Sequence, residues 1–338
     1  MIDWDLVSLI FGKMIKFSIV IIVRKINNYV REAMYHLQRQ TYEDFEIIIV
    51  SEKKEEENFE RTRIIYSGRA SPAQARNIGV KNARGEIIVF IDDDAYPEKD
   101  WLEKAVKNFK DKKIVAVGGP SLVPKNSTFF QRVSNKVYEL SSKKTGIRYG
   151  QYKKQEIDDW PTCNFSVRRE NFEKIGGFNS EYWGGEDTQL SYSLLKSGKM
   201  VYDPEVIVYH HPRKSLEKHL KQTLFWSMWR GFFMRLHKQS FQLTFFIPSI
   251  FVLWLFFGGM LTWVSQSFGY VYLASLVLYG LFLMVKGIQT KNAKLFFPVI
   301  FVMFLTHLFY GIGFLKGILS KNAPIKKTLN PQGGSNEN

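Results

Sequence analysis

Glu86-Ile87-Ile88-Val89-Phe90-Ile91-Asp92-Asp93-Asp94 decides the reading of this chain, because an apolar run of strand length ends there in three carboxylates. A strand buried on both faces reads as such a run, and sheets built from strands of this kind are mostly parallel. The carboxyl end of such a strand lies at the sheet edge where α/β folds bind their ligands. Hard oxygen donors at that edge suit a divalent cation bridging protein and diphosphate. Read alone, an acidic triplet is more often a solvated turn or a helix cap. A second pair, Glu186-Asp187, follows Trp183-Gly184-Gly185 and offers a carboxylate that can accept a proton.

Working outward, Phe17 to Val23, Phe45 to Val50 and Arg63 to Tyr66 are further strand-length runs. Helical spacing fills Tyr29 to Gln40 and about 72–83, so the first hundred residues alternate as βαβ units do. The pattern predicts an α/β domain with a mostly parallel mixed sheet. Pro97 and the acids behind it predict a helix to about Phe109, then a strand at Ile114 to Val117 and a break at Gly118-Gly119-Pro120. Residues 124–158 are polar and weakly periodic, and read either as a solvated connector or as a helix-and-loop region that meets an acceptor. A helix over Thr188 to Ser197 and a strand over Val206 to Tyr209, ahead of His210 and His211, complete the region.

The last third differs. Residues 244–265, 270–285 and 295–315 carry no charged side chain; the first and third are long enough to cross a hydrocarbon core of about 30 Å, and the second is near the limit. The net charge of +15 comes with no nucleic-acid-binding module, so nucleic acid is not expected as a partner. Arg213, Lys214, Lys218, Lys221, Arg230, Arg235 and Lys238 instead crowd the stretch before the first apolar run, where Leu220, Leu224, Phe225, Trp226, Trp229, Phe232 and Phe233 lie among them. That mixture predicts an interfacial helix, aromatic side toward lipid, and a large N-terminal domain held in the cytoplasm of a multi-pass protein of the cell membrane. The single cysteine, Cys163, excludes an internal disulfide and reads as a small buried residue. The start has no secretory signal pattern, and residues 6–16 read as a surface-lying helix or a frayed extension. The expected organisation is an extension at 1–16, the α/β domain at 17–212, the interfacial region at 213–240, the membrane region at 241–320 and a tail at 321–338, disordered from Pro331.

The run Ser71-Pro72-Ala73-Gln74-Ala75-Arg76-Asn77-Ile78-Gly79, the strand into Asp92-Asp93-Asp94-Ala95-Tyr96-Pro97, and the later Thr162-Cys163-Asn164-Phe165, Gly176-Gly177-Phe178, Gly184-Gly185-Glu186-Asp187 and Tyr202-Asp203-Pro204 resemble, in order and spacing, the inverting family 2 glycosyltransferases. The resemblance implies a GT-A fold that binds a nucleoside-diphosphate sugar. It places Asp92 on the nucleoside ribose, Asp94 on Mg²⁺ or Mn²⁺ and Asp93 in support of either. Arg76 would face the nucleotide, Asp187 would be the general base, and Glu186, with Trp183, Gly184 and Gly185, would contact sugar or acceptor. His210 is the candidate for a late histidine on metal or diphosphate.

Two places depart from the family pattern. Val23-Arg24-Lys25-Ile26-Asn27 and Ser51-Glu52-Lys53 stand where family members place Pro, a small residue, Tyr and Asn after the first strand and base-facing acids after the second. Glu52 is the candidate replacement, with Ser51 and backbone as the alternative reader of the base, and UDP against GDP stays open. The apolar runs and the basic stretch point to a lipid-linked acceptor and to membrane lipids as partners. Gln222-Thr223-Leu224-Phe225-Trp226 lacks the arginine of the Gln-x-x-Arg-Trp motif of processive synthases, which favours single-sugar addition. A catalytically silent binding module is the rival from another class; the retained acids oppose it. Three full crossings would put Lys316, Lys321, Lys326 and Lys327 outside, so the third apolar run is expected to bend or re-enter at Pro298, Gly311 and Gly313, leaving the C-terminus cytoplasmic.

Overall fold

A computed structural model describes residues 16–141, 146–181, 183–236 and 241–324. The expected surface segment before residue 16, Lys238, Lys326, Lys327 and the tail from Pro331 lie outside the described residues. The chain divides into two compact units, one formed by residues up to Pro124 together with Gly150–His211, the other by Lys125–Tyr149 together with the chain from Pro212 onward.

The first unit is built on an eight-stranded sheet in the order β3-β2-β1-β4-β9-β6-β10-β8. Strands β1 (Phe17–Val23), β2 (Phe45–Ser51), β3 (Thr62–Tyr66) and β4 (Ile87–Ile91) run parallel. Between β4 and β6 (Ile114–Gly118) lies β9 (Asn164–Arg168), antiparallel to both, while β10 (Lys199–Tyr202) returns parallel to β6 and β8 (Gln155–Ile157) closes the edge antiparallel. The sheet is therefore mixed. Its β-branched runs are buried on both faces, with β4 buried at every position. Each such Ile or Val withdrawn from water contributes about 1.5–3 kcal/mol.

Local chemistry sets where the helices start. Asn27 caps α1 (Asn28–Leu37), its Oδ1 accepting from the N–H groups of Tyr29 at 2.9 Å and Val30 at 3.1 Å. Ser71 and Gln74 form a reciprocal capping box at the start of α2 (Pro72–Lys81), and Pro72 occupies its first turn.

The helix expected from Pro97 starts later, as α3 (Trp101–Asn108), because Ala95–Pro97 forms β5. This strand pairs with β11 (Val208–His210), which also pairs with β7 (Ser121–Leu122), in a small second sheet. Pairing partners far along the chain override the helix-start signal of Pro97.

The second unit is helical among its described residues. The stretch 124–158, which reads as a weakly periodic connector, contains α4 (Phe129–Ser141), whose Val133 and Val137 pack with Val299, Val302 and Met303. The short α5 (Arg169–Lys174) and α6 (Glu186–Leu194) belong to the first unit. In α7 (Leu216–Leu236) the aromatic residues divide: Trp229, Phe232 and Phe233 are buried, and Trp226 is exposed. They are covered because α7 lies along α10 (Ala293–Leu319). Among the described residues three helices are long and apolar enough to cross a membrane, namely α8 (Leu243–Leu261), α9 (Gln266–Gln289) and α10. The expected re-entry at Gly311 and Gly313 has no break in the helix to support it, since α10 is continuous from Ala293 to Leu319. Those glycines serve packing instead: a β-carbon on Gly311 would collide with the Pro248 carbonyl of α8 and one on Gly313 with Ser227 of α7, as one on Gly317 would with the Met228 carbonyl of α7.

Candidate active site at the carboxyl edge of the sheet

Asp92-Asp93-Asp94 forms the turn between β4 and β5, at the carboxyl edge of the parallel strands. The β5–β11 register sets Ala95 opposite His210, and the His211 N–H donates to the Asp94 carbonyl at 2.9 Å. The pairing brings the His210 Nε2 within 3.2 Å of Asp94 Oδ1. Donor atoms of Asp92, Cys163 and His210 also lie within 4.8 Å of one another. Carboxylate oxygens with an imidazole make a donor set that fits Mn²⁺ well and Mg²⁺ acceptably. Burial, and then the Asp92 charge, push the Cys163 thiol well above its ordinary range, so the sulfur is protonated and a poor partner for these hard ions.

On the other side of Asp92 sits Arg76, a 9 % exposed guanidinium on α2. Its Nη2 lies 3.3 Å from Asp92 Oδ1, and its Nη1 lies 2.8 Å from Glu186 Oε1 and 3.9 Å from Asp187 Oδ1. Burial alone would lower the Arg76 pKa; Asp187, Glu186 and Asp92 outweigh it and raise it. Glu186 and Asp187 occupy the first turn of α6, where the helix dipole favours negative charge. The chain enters that turn through Gly185, whose φ of +74° is a conformation that favours glycine. Gly184 is buried and Trp183 half-buried just ahead of it.

Asp187 is held by one oxygen. Its Oδ2 accepts from the Thr162 N–H at 3.3 Å, while its buried Oδ1 has no hydrogen-bond partner among the described residues. Burial first, and then the neighbouring Glu186 charge, push its carboxyl up to about 7 against the lowering effect of Arg76. The arrangement leaves one carboxylate oxygen able to take a proton near neutral pH.

Of the residues singled out in the sequence, Arg76, Asp92, Asp94, Glu186, Asp187 and His210 are thus linked at one sheet edge, with Asp93 in the same turn. Glu52 lies apart from this chain of contacts, on the loop after β2, where it faces Arg24 at 3.8 Å. The loop also contains Glu55, unforeseen in the sequence, which accepts from the Ile26 N–H at 2.8 Å and the Ser51 hydroxyl at 3.1 Å. Asn164 was visible as part of a motif without a role. Its Nδ2 donates to the carbonyls of Val206 at 2.7 Å and Pro120 at 3.0 Å, and its Oδ1 accepts from the Trp101 indole at 3.0 Å. It fastens β9 beneath Thr162 and Cys163. Asn77 likewise joins α2 to Phe178, through hydrogen bonds of 2.8 and 3.0 Å.

The chain is similar to several known proteins. Over 334 residues the chain is 23% identical to the dolichyl N-acetyl-alpha-D-glucosaminyl phosphate 3-beta-D-2,3-diacetamido-2,3-dideoxy-beta-D-glucuronosyltransferase of Methanococcus voltae, covering 91% of this chain and 99% of that protein. It is 23% identical over 245 residues to the glucosyl-dolichyl phosphate glucuronosyltransferase of Haloferax volcanii, covering 65% of this chain and 76% of that one. Among solved structures, S. aureus TarS 1-349 in complex with UDP-GlcNAc matches with a TM-score of 0.46 at 15% identity, over 63% of this chain and 65% of that chain. Residues 18–176, which hold the parallel strands, the Asp92-Asp93-Asp94 turn and β9, match Glycosyl transferase family 2. The match to Glycosyl transferase family 2 thus lies on a mixed α/β sheet, and the chain continues into helices long and apolar enough to cross a membrane.

Proposed function

We propose that this protein is a membrane-anchored, inverting glycosyltransferase that moves a sugar from a nucleoside-diphosphate donor onto a lipid-linked acceptor at the cytoplasmic face. The observation that carries the reading is the convergence, through Arg76, of the strand-end carboxylate Asp92 and the α6 pair Glu186-Asp187. Asp94 and His210 would hold Mg²⁺ or Mn²⁺, which supplies Lewis-acid neutralisation of the departing diphosphate. Asp92 and Asp93 would hold the nucleoside, and Arg76 sets the position of both acidic groups. Asp187, ionised above its raised pKa, takes the proton of the acceptor hydroxyl on Oδ1, which has no hydrogen-bond partner among the described residues. Attack by that oxygen from the side opposite the leaving group inverts the anomeric carbon with no covalent enzyme intermediate. Glu186 is tied to Arg76, and sugar contacts fall to Trp183, Gly184 and Gly185 beside it.

The acceptor class is supported by the names of two relatives, both of which specify dolichyl phosphate-linked substrates, and by the three apolar helices. The cytoplasmic side is supported by the basic residues of α7. Equilibrium binding of UDP and GDP to the full chain in detergent, with and without Mn²⁺, tests the reading, followed by turnover of a nucleotide-sugar panel on a lipid phosphate-linked sugar. Metal-dependent binding of one nucleotide, lost in Asp94→Asn, is expected. No metal-dependent nucleotide binding by the wild type overturns it.

A further inference from the structure

We propose that Asp92, Cys163 and His210 form a chelating site for a thiophilic divalent cation of the Zn²⁺ class, overlapping the position assigned to the catalytic cation. The three donor atoms lie within 4.8 Å of one another, and they come from three separate segments: the turn after β4, the residue before β9 and the end of β11. Carboxylate, thiolate and imidazole are all zinc ligands, with bonds of about 2.0–2.3 Å, so closing around one ion needs a contraction of about 1 Å. Asp94, 3.2 Å from the same imidazole, stands ready as a fourth donor. Tetrahedral zinc takes four ligands.

The thiol decides which ions are trapped. It is 8 % exposed, and the Ser121 hydroxyl donates to its sulfur at 3.5 Å, a contact that steadies a thiolate once formed. Hard cations gain little from sulfur and leave the proton in place, whereas a thiophilic ion displaces it. As the metal–sulfur bond forms, the S–H proton passes to solvent and nothing is oxidised. A carboxylate-and-imidazole site thereby becomes a tight thiolate site, and Zn²⁺ competes with Mn²⁺. The chelation stands on this geometry alone; only the overlap rests on the reading of Asp94 and His210.

Cd²⁺ is the probe, because a cadmium–thiolate bond carries an ultraviolet charge-transfer band. Cys163 is the one cysteine of the chain, so in wild-type protein that band reports this residue alone. A band saturating at one Cd²⁺ per chain is expected, with proton release in calorimetry and displacement by excess Mn²⁺. Loss of even an outer partner costs metal sites about 10–100-fold. Cys163→Ser should therefore abolish the band and weaken Cd²⁺ by more than about tenfold, and His210→Asn should weaken Cd²⁺ while keeping the thiol. A wild-type protein that binds Mn²⁺ but gives no thiolate band overturns the chelation and leaves the metal reading intact. A band that Mn²⁺ fails to displace overturns the overlap. The wild-type and His210→Asn measurements decide the matter even if Cys163→Ser does not fold.

Discussion

At the residue scale the proposed chemistry rests on Arg76 and Asp187. One guanidinium faces three carboxylates, and one oxygen of Asp187 is left without a hydrogen bond. Replacing Asp187 by Asn keeps the shape and removes the base, so kcat should fall by about 10²–10⁴ while donor affinity stays. Loss of donor binding instead would move Asp187 into the nucleotide site. Since the base works ionised, kcat/KM of the wild type should rise with pH through about 7. Arg76 lowers that pKa, so Arg76→Gln should move the limb to higher pH, and an unmoved limb assigns the base elsewhere. Linkage gives a separate readout. A carboxyl whose folded pKa lies above its unfolded value of about 3.9 contributes its full stability below that value and loses it as pH rises through about 7. Asp187→Asn should therefore melt higher than wild type at pH 8 and gain nothing at pH 4. Such residues were legible in the sequence as paired acids, but their link through Arg76 was not, because it joins positions 76 and 186 that no local pattern connects.

Elements that the sequence made plain are those whose apolar runs are uninterrupted. Strands β1, β2 and β4 were legible because burial on both faces demands continuous Ile and Val. Strand β9 was not: Asn164, Ser166 and Arg168 interrupt its run, although it occupies the middle of the sheet. Its polar residue Asn164 is satisfied by three buried hydrogen bonds, a cost–benefit that only the tertiary fold reveals. Asn164→Leu strands the Trp101 indole and two carbonyls, and should cost at least about 1–3 kcal/mol in denaturant unfolding of the first unit. Composition could not show that α10 covers Trp229, Phe232 and Phe233 of α7, because that contact joins segments far apart in the chain. The α7–α10 contact supplies its own test. Gly317→Ala sets a β-carbon against the Met228 carbonyl and should destabilise by about 1–3 kcal/mol, whereas Gly280→Ala on α9 meets nothing within 4 Å and gains helix propensity. Equal melting temperatures for the two variants in detergent would show that α7 and α10 do not pack this closely.

At the scale of the whole molecule, the geometry of the helical unit bears on the charge conflict that the sequence posed. Helices α8 and α9 form an antiparallel hairpin, joined by the Trp254 indole to Ser275 at 2.7 Å and by the Tyr272 hydroxyl to the Leu255 carbonyl at 3.1 Å. Its turn is exposed, Trp263 at 94%. Helix α10 meets the opposite end of that hairpin, through Ser249 to the Gly311 carbonyl at 3.0 Å and Tyr279 to His307 at 2.8 Å. Along its length α10 is also covered by polar helices: α4 at Val299 to Met303, then α7, which runs parallel to it from His219 on Thr306 to Arg235 on the Lys321 carbonyl. Lys218, Lys221 and Arg235 of α7 are exposed. If α10 crossed the bilayer, these charges would be drawn toward the hydrocarbon at about 2.5–3.5 kcal/mol each at its centre. Lying in the interface costs none of this, and the exposed Phe297, Phe301 and Ile312 of α10 would then face lipid. We therefore expect two crossings, α8 and α9, with α10 flat and unbroken, and Lys286, Lys291, Lys294, Lys316 and Lys321 all on the cytoplasmic side. Val264→Cys in the hairpin turn should react with an impermeant maleimide in intact cells, and Ser320→Cys only after permeabilisation. Labelling of position 320 from outside would establish a third crossing and remove the in-plane helix.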